Sequence, residues 1–134
     1  MSTRATAEEF LRRIGEPDRI GELFADDVEW RLSWPAGAHP ATPWIRERST
    51  RAEAADHFRE LAGFHVPEHN GSGVSRILVD GDDAVILCEI RQRARPTGRD
   101  YTAMCALHLT VEDGLIVRYD VYEDSLSVAR AFGG

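Results

Sequence analysis

The most restrictive stretch of the chain is residues 82–124, DDAVILCEIRQRARPTGRDYTAMCALHLTVEDGLIVRYDVYED, where three apolar runs are separated by turns marked at Gly98 and Gly114. Three such runs joined by turns this short are successive antiparallel strands. Side chains two apart in a strand share a face, so the turn lengths decide which polar groups look into a common space. With Pro96-Thr97-Gly98 as a three-residue turn, Glu89 stands opposite Cys105, Arg91 opposite Ala103 and Arg93 opposite Tyr101. With Glu112-Asp113-Gly114 as a second turn of the same kind, Val111 pairs with Leu115. One face then carries Leu87, Glu89, Arg91, Tyr101, Cys105, Leu107, Tyr119 and Val121. The other carries Cys88, Ile90, Met104, His108, Asp120 and Tyr122. A two-residue second turn would bring Asp120 rather than Tyr119 to the first face.

Upstream, Thr6-Ala7-Glu8-Glu9 reads as a capping box opening a helix with Phe10, Leu11 and Ile14 on its apolar side, ending near Gly15. Pro17 suits the first turn of a second helix, with Ile20, Leu23 and Phe24 as its stripe and a stop at Asp26-Asp27. Residues 28–34 alternate Val28, Trp30, Leu32 and Trp34 with polar positions, a half-buried strand with an aromatic inner face. Three prolines make residues 35–48 an irregular loop over one end of the fold. Ser49 or Thr50 caps a third helix with Ala52, Ala55, Phe58, Leu61 and Ala62 as its apolar positions. A strand at 74–79 and a tight Asp80-Gly81 turn lead into the three-strand block. Helices followed by a run of antiparallel strands make an α+β fold. Both sheet faces are apolar enough to be covered and the helices cover one, so a homodimer through the outer face is expected.

A chain of 134 residues fits one domain, 1–134. Its 16 basic against 23 acidic residues, net charge -7, have the wrong sign for a nucleic-acid backbone. No apolar run approaches the roughly 20 residues of a membrane span, and MSTRATAEEF has no apolar signal core. A cytoplasmic protein with no nucleic-acid or membrane partner is expected. Cys88 and Cys105 have opposite parity and read as free thiols. No His, Cys and carboxylate spacing suggests a metal, and no glycine-rich loop cradles a nucleotide, so no cofactor is called for.

Several segments in order carry a resemblance: Leu23-Phe24-Ala25-Asp26-Asp27-Val28, Pro43-Trp44, Pro96-Thr97-Gly98-Arg99-Asp100-Tyr101, the run from Val111 to Val117, and Tyr122-Glu123-Asp124. Together they make the chain resemble the SnoaL-like and ketosteroid isomerase-related proteins of the nuclear transport factor 2-like superfamily. The resemblance implies a cystatin-like cone, a curved antiparallel sheet wrapped around three helices with an internal apolar cavity. It also implies a small apolar organic ligand. The family includes isomerases, polyketide cyclases, epoxide hydrolases, dehydratases and plain binding proteins, so the fold leaves the reaction open. Where ketosteroid isomerases carry a general-base aspartate this chain has Leu32. Where they carry an oxyanion-binding acid it has Leu107, and where relatives have an acid on the last strand it has Val121. Glu89 and Arg91 align with the strand on which the epoxide hydrolases carry an Arg-x-Asp pair, here with the charges reversed.

Glu89 and Arg91 are therefore the first catalytic candidates, a carboxylate whose charge state a guanidinium sets. A structural ion pair at the rim is the alternative. Tyr119 and Tyr101 are candidates for donating a hydrogen bond to a developing oxyanion. Trp30, Trp34 and Trp44 suit a flat or apolar ligand, and Leu32, Cys105, Leu107 and Val121 line the same space. His39 belongs to the loop expected to close the mouth. Taken with these residues, the resemblance implies a cofactor-independent isomerisation, cyclisation or dehydration of a polyketide-like or terpenoid-like substrate. A non-catalytic binding module and an assembly domain using the outer face are the other classes.

Overall fold

The computed structural model describes residues 1–134. Its elements are α1 (Thr3–Arg12), α2 (Pro17–Gly21), β1 (Phe24–Leu32), α3 (Arg51–Gly63), a short 3-10 turn (Pro67–His69), β2 (Gly73–Asp80), β3 (Asp83–Arg93), β4 (Asp100–Glu112), β5 (Leu115–Glu123) and α4 (Ser125–Ala131). The strands form one sheet in the order β1-β5-β4-β3-β2. All neighbours are antiparallel except β1, which runs parallel to β5.

The helical boundaries differ from the sequence expectation for physical reasons. Helix α1 is capped by Ser2, whose hydroxyl accepts from the Ala5 N–H, so Thr6 lies inside the helix and is buried. Ile14 falls past its end and is 47% exposed. Helix α2 is one turn long, and Phe24 starts β1 rather than ending a helical stripe. In α3 the Thr50 side chain accepts from the Glu53 N–H while Glu53 accepts from the Ser49 N–H, a reciprocal cap. Of the stripe expected on α3, Phe58 is buried and Leu61 reaches the cavity, while Ala54 and His57 turn inward where Ala52, Ala55 and Ala62 were expected. The fourth helix follows the last strand with Asp124 as its cap.

The hairpin registers position everything else. Strands β3 and β4 close on the Ala94 N–H donating to the Arg99 carbonyl at 2.8 Å, so the loop holds four residues rather than three. Gly98, at φ 72, supplies the left-handed conformation this loop needs. One extra loop residue moves the pairing to Cys88 with Cys105, Ile90 with Ala103 and Gln92 with Tyr101. Such a slip exchanges the two faces of β3. Burial decides the outcome: the even positions bury Ile86 and half-bury Ile90, whereas the odd ones would bury Glu89 and Arg91, each charge costing several kcal/mol to desolvate. The second turn has two residues, Asp113 (φ 52) and Gly114 (φ 75). A bulge beside Thr110 and Val111 then restores parity, so Leu109 pairs with Tyr119 and Leu107 with Val121.

The concave face packs on α1, α2 and α3 through Phe10, Phe24, Phe58, Ile86, Leu109, Ile116 and Tyr119. The Phe10 ring meets those of Phe58 and Tyr119 at 5.7 Å. Burial of side chains of this size contributes about 1.5–3 kcal/mol each. A second cluster gathers Trp44 from the irregular loop with Ala94, Ala103, Val128 and Phe132.

Candidate functional site

Between these two clusters lies a cavity of about 410 Å³, mostly apolar in lining. Trp44, Ile45, Phe58, Leu61, Ile90, Leu107 and Val121 form much of its wall. A more open hollow beside it is lined by Trp30, Trp34, His39 and the prolines of the irregular loop, and shares Leu32 and Ile45 with the cavity.

The sequence candidates separate accordingly. Tyr101, Tyr119, Leu32, Trp44, Cys105, Leu107 and Val121 line the cavity. Trp30, Trp34 and His39 line the neighbouring hollow, where the His39 ring stands edge-on to Trp34 at 5.3 Å and bonds the Pro35 carbonyl. Glu89 and Arg91 are not in the cavity. They lie exposed on the outer face of the sheet, bonded to each other at 2.9 Å, because the four-residue loop reversed β3. Cys88 and Gln92 occupy the wall in their place. Cys105 accordingly faces Cys88 and not Glu89, and the two cysteines share a face rather than lying on opposite ones.

The cavity carboxylate is Glu123, at the end of β5. The Trp34 indole N–H donates to its Oε1 at 2.7 Å, and burial raises its pKa above the ordinary carboxylate value. The Ser33 hydroxyl accepts from the Glu123 N–H at 2.9 Å, holding the end of β1 against β5 and Trp34 over the carboxylate. Glu123 pairs with Cys105, which pairs with Cys88, so a carboxyl and two thiols form one row across three strands. Glu123 shares parity with Tyr119 and Val121, which was the available sequence signal.

Two histidines also enter the wall. His65 follows α3; its Nδ1–H donates to the Leu61 carbonyl at 2.7 Å, leaving Nε2 to accept the Tyr101 hydroxyl proton at 2.6 Å. Burial lowers the His65 pKa and keeps the ring neutral, so the Tyr101 hydroxyl donates its hydrogen bond to His65 and presents oxygen lone pairs. His57, on α3, stands edge-on to Trp30 at 4.8 Å. Its pKa is lowered to about 3, chiefly by burial and then by the Arg48 charge. No sequence pattern distinguished these two histidines from solvated ones. Tyr119 is enclosed, and burial pushes its pKa well above the ordinary phenol value, so it remains a donor.

A neutral or ionised carboxyl, a phenol donor and an apolar wall form a set able to move a proton on an otherwise unreactive small molecule. The SnoaL-like domain family matches residues 7–119. The chain belongs to this family. Searching the curated proteins gave no match. Among solved structures, the SnoaL-like domain is similar to an NTF2-like protein of unknown function from Burkholderia pseudomallei (20% identity, 100% of each chain, TM-score 0.82). It is similar also to an M. tuberculosis LEH-like epoxide hydrolase (15% identity, 97% of this chain and 88% of that one, TM-score 0.71). A third is a Catenulispora acidiphila protein with a ketosteroid isomerase-like fold, solved with trimethylamine (15%, 87% and 82%, TM-score 0.68). These likenesses establish the NTF2-like cone. No helix is long and apolar enough to cross a membrane.

Proposed function

We propose that this SnoaL-like domain is a small-molecule enzyme that carries out cofactor-independent acid/base chemistry on an apolar, polyketide-like or terpenoid-like substrate, an isomerisation, cyclisation or dehydration. The observation that carries this is Glu123, a half-buried carboxyl on the cavity wall with one oxygen held by Trp34 and a raised pKa. Such a group exchanges its proton nearer neutrality than an ordinary carboxylate. Glu123 takes a proton from carbon and returns it elsewhere on the ligand, while Tyr119 donates to the oxyanion that develops. Tyr101, committed to His65, accepts from a substrate hydroxyl.

Native mass spectrometry of freshly purified protein identifies a retained ligand, and turnover of that compound is then compared with Glu123→Gln. A loss of about 10²- to 10⁴-fold is expected of a proton-transferring group. Full turnover by Glu123→Gln would overturn the assignment. The second reading, a non-catalytic binding module, is favoured by Leu32, Leu107 and Val121, which leave those wall positions without acid or base. It requires ligand binding that survives Glu123→Gln and a ligand recovered unchanged.

A homodimer through the outer sheet face belongs to the same proposal. There Met104 is 78% exposed and Tyr122 is exposed beside Ala106. Met104→Glu is expected to shift the mass seen by light scattering to that of the monomer. An unchanged mass would remove this face from the assembly.

A further inference from the structure

Cys88 and Cys105 stand directly opposite each other on β3 and β4, both are free, and both side chains line the cavity. The Ala94 N–H bonds the Arg99 carbonyl at one end of this ladder and the Val111 N–H bonds the Asp82 carbonyl at the other, each at 2.8 Å. Hydrogen-bonded pairs recur at every second residue, which makes Cys88 and Cys105 such a pair, with Cα atoms about 5.5 Å apart. A disulfide spans roughly 4.4–6.8 Å between Cα atoms. A bonded pair holds its Cβ atoms wider than a relaxed bridge prefers, so the bridge formed is strained and readily reduced. The Cys88 thiol is already turned toward the partner strand, donating to the Cys105 carbonyl at 3.5 Å. Cys105 is 7% exposed, so small molecules reach the two sulfurs through the cavity.

We propose that Cys88 and Cys105 are a redox-active dithiol site that takes small peroxides entering the cavity and closes to a reversible cross-strand disulfide. Cys88 is the attacking thiol. It is the less enclosed of the two sulfurs, and the Cys105 thiol beside it lowers its pKa. The Cys88 thiolate attacks the peroxide O–O bond, forming Cys88 sulfenic acid and releasing an alcohol, or water from hydrogen peroxide, that carries the displaced oxygen and takes up the thiol proton. Cys105 sulfur then displaces the sulfenic oxygen, which leaves as water with the Cys105 proton. Two thiols are oxidised by two electrons and one peroxide bond is reduced. Neither Glu123 nor Tyr119 takes part, so the site stands whether or not the acid/base activity does.

The full-length reduced protein is treated with hydrogen peroxide and followed by intact mass under non-reducing conditions. The expected product is a monomer about 2 Da lighter, with a Cys88–Cys105 cross-link on peptide mapping and the mass restored by dithiothreitol. Because the fold already juxtaposes the sulfurs, the native chain is expected to close on the order of 10-fold faster than the urea-unfolded one. Cys105→Ser should stop at a sulfenic acid about 16 Da heavier that a 1,3-diketone traps, and Cys88→Ser should stay unmodified. Three results would each overturn the site: a bridge between two chains, a native rate no faster than the unfolded one, or Cys88→Ser oxidised as fast as wild type. The rate comparison uses only the wild-type chain and holds even if a variant fails to fold.

Discussion

Trp34 donates its indole N–H to Glu123 Oε1 over 2.7 Å, joining the irregular proline-rich loop to the end of β5. The contact leaves Glu123 Oε2 as the oxygen available to a ligand. It also holds a carboxyl where burial opposes its charge.

Glu123→Gln keeps an acceptor for Trp34 and removes the half-buried charge. With its folded pKa raised above the ordinary 4.5, the folded chain binds this proton more tightly than the unfolded one. The resulting stabilisation is complete below the unfolded value and is lost as pH rises through the folded value. Glu123→Gln is therefore expected to be at least as stable as wild type at pH 7 to 8 and to lose that advantage as the pH falls to about 4. Urea midpoints across this range test it, and a variant less stable at neutral pH would show that the charge is compensated.

Tyr101→Phe is expected to cost about 1–3 kcal/mol, because it leaves His65 Nε2 a buried acceptor without a partner. The ring contact with Phe132, 6.2 Å between centroids, remains, so the loss reports the hydrogen bond rather than packing. Chemical denaturation measures it. A change below about 0.5 kcal/mol would mean that water replaces the hydroxyl.

The order of the first three helices and the five strands, the irregular loop, the α3 cap and the hairpin block were legible because each has a local cause in Thr50, Pro35, Pro40, Gly98 or Gly114, whereas α4 was not read. The orientation of β3 was not. It turned on one residue of loop length, and turn composition around Pro96-Thr97-Gly98 suits three residues as well as four. The burial pattern contained the answer, since Ile86 and Ile90 share one face and Glu89 and Arg91 the other. For β5 a shorter turn and a bulge cancelled, leaving Tyr119 on the expected face. His57 and His65 were invisible because their burial depends on Trp30, Trp44 and Tyr101 arriving from distant segments.

Glu89→Gln and Arg91→Ala should each change stability by less than about 0.5 kcal/mol, as suits an exposed ion pair. Neither should alter binding of whatever ligand the purified protein retains. A loss of ligand binding in either variant would contradict their place on the outer face.

Gly114→Ala places an L side chain at φ 75 in the β4–β5 turn, and the Met1 nitrogen lies 3.4 Å from the added Cβ. The left-handed conformation alone costs about 1–2 kcal/mol for a residue with a Cβ. Because this turn and the neighbouring bulge together set which side of β5 faces the cavity, thermal unfolding should fall and ligand retention should weaken with it. Loss of stability with full ligand retention would show that the bulge alone fixes the register.

His57 is expected to make the chain acid-sensitive. Its folded pKa of about 3 lies below the ordinary 6.5, so between these values the unfolded chain holds the extra proton and stability falls as pH falls. Over the whole window this amounts to roughly 5 kcal/mol, and between pH 6.5 and 5 to about 2 kcal/mol. His65, also lowered by burial, adds to the slope in the same direction. His57→Phe retains an aromatic ring beside Trp30 and Phe58 and removes the proton. Its urea midpoint is expected to vary less between pH 7.5 and 5 than that of the wild type, with the two closest at the higher pH. Parallel pH profiles for the two proteins would place the acid sensitivity elsewhere.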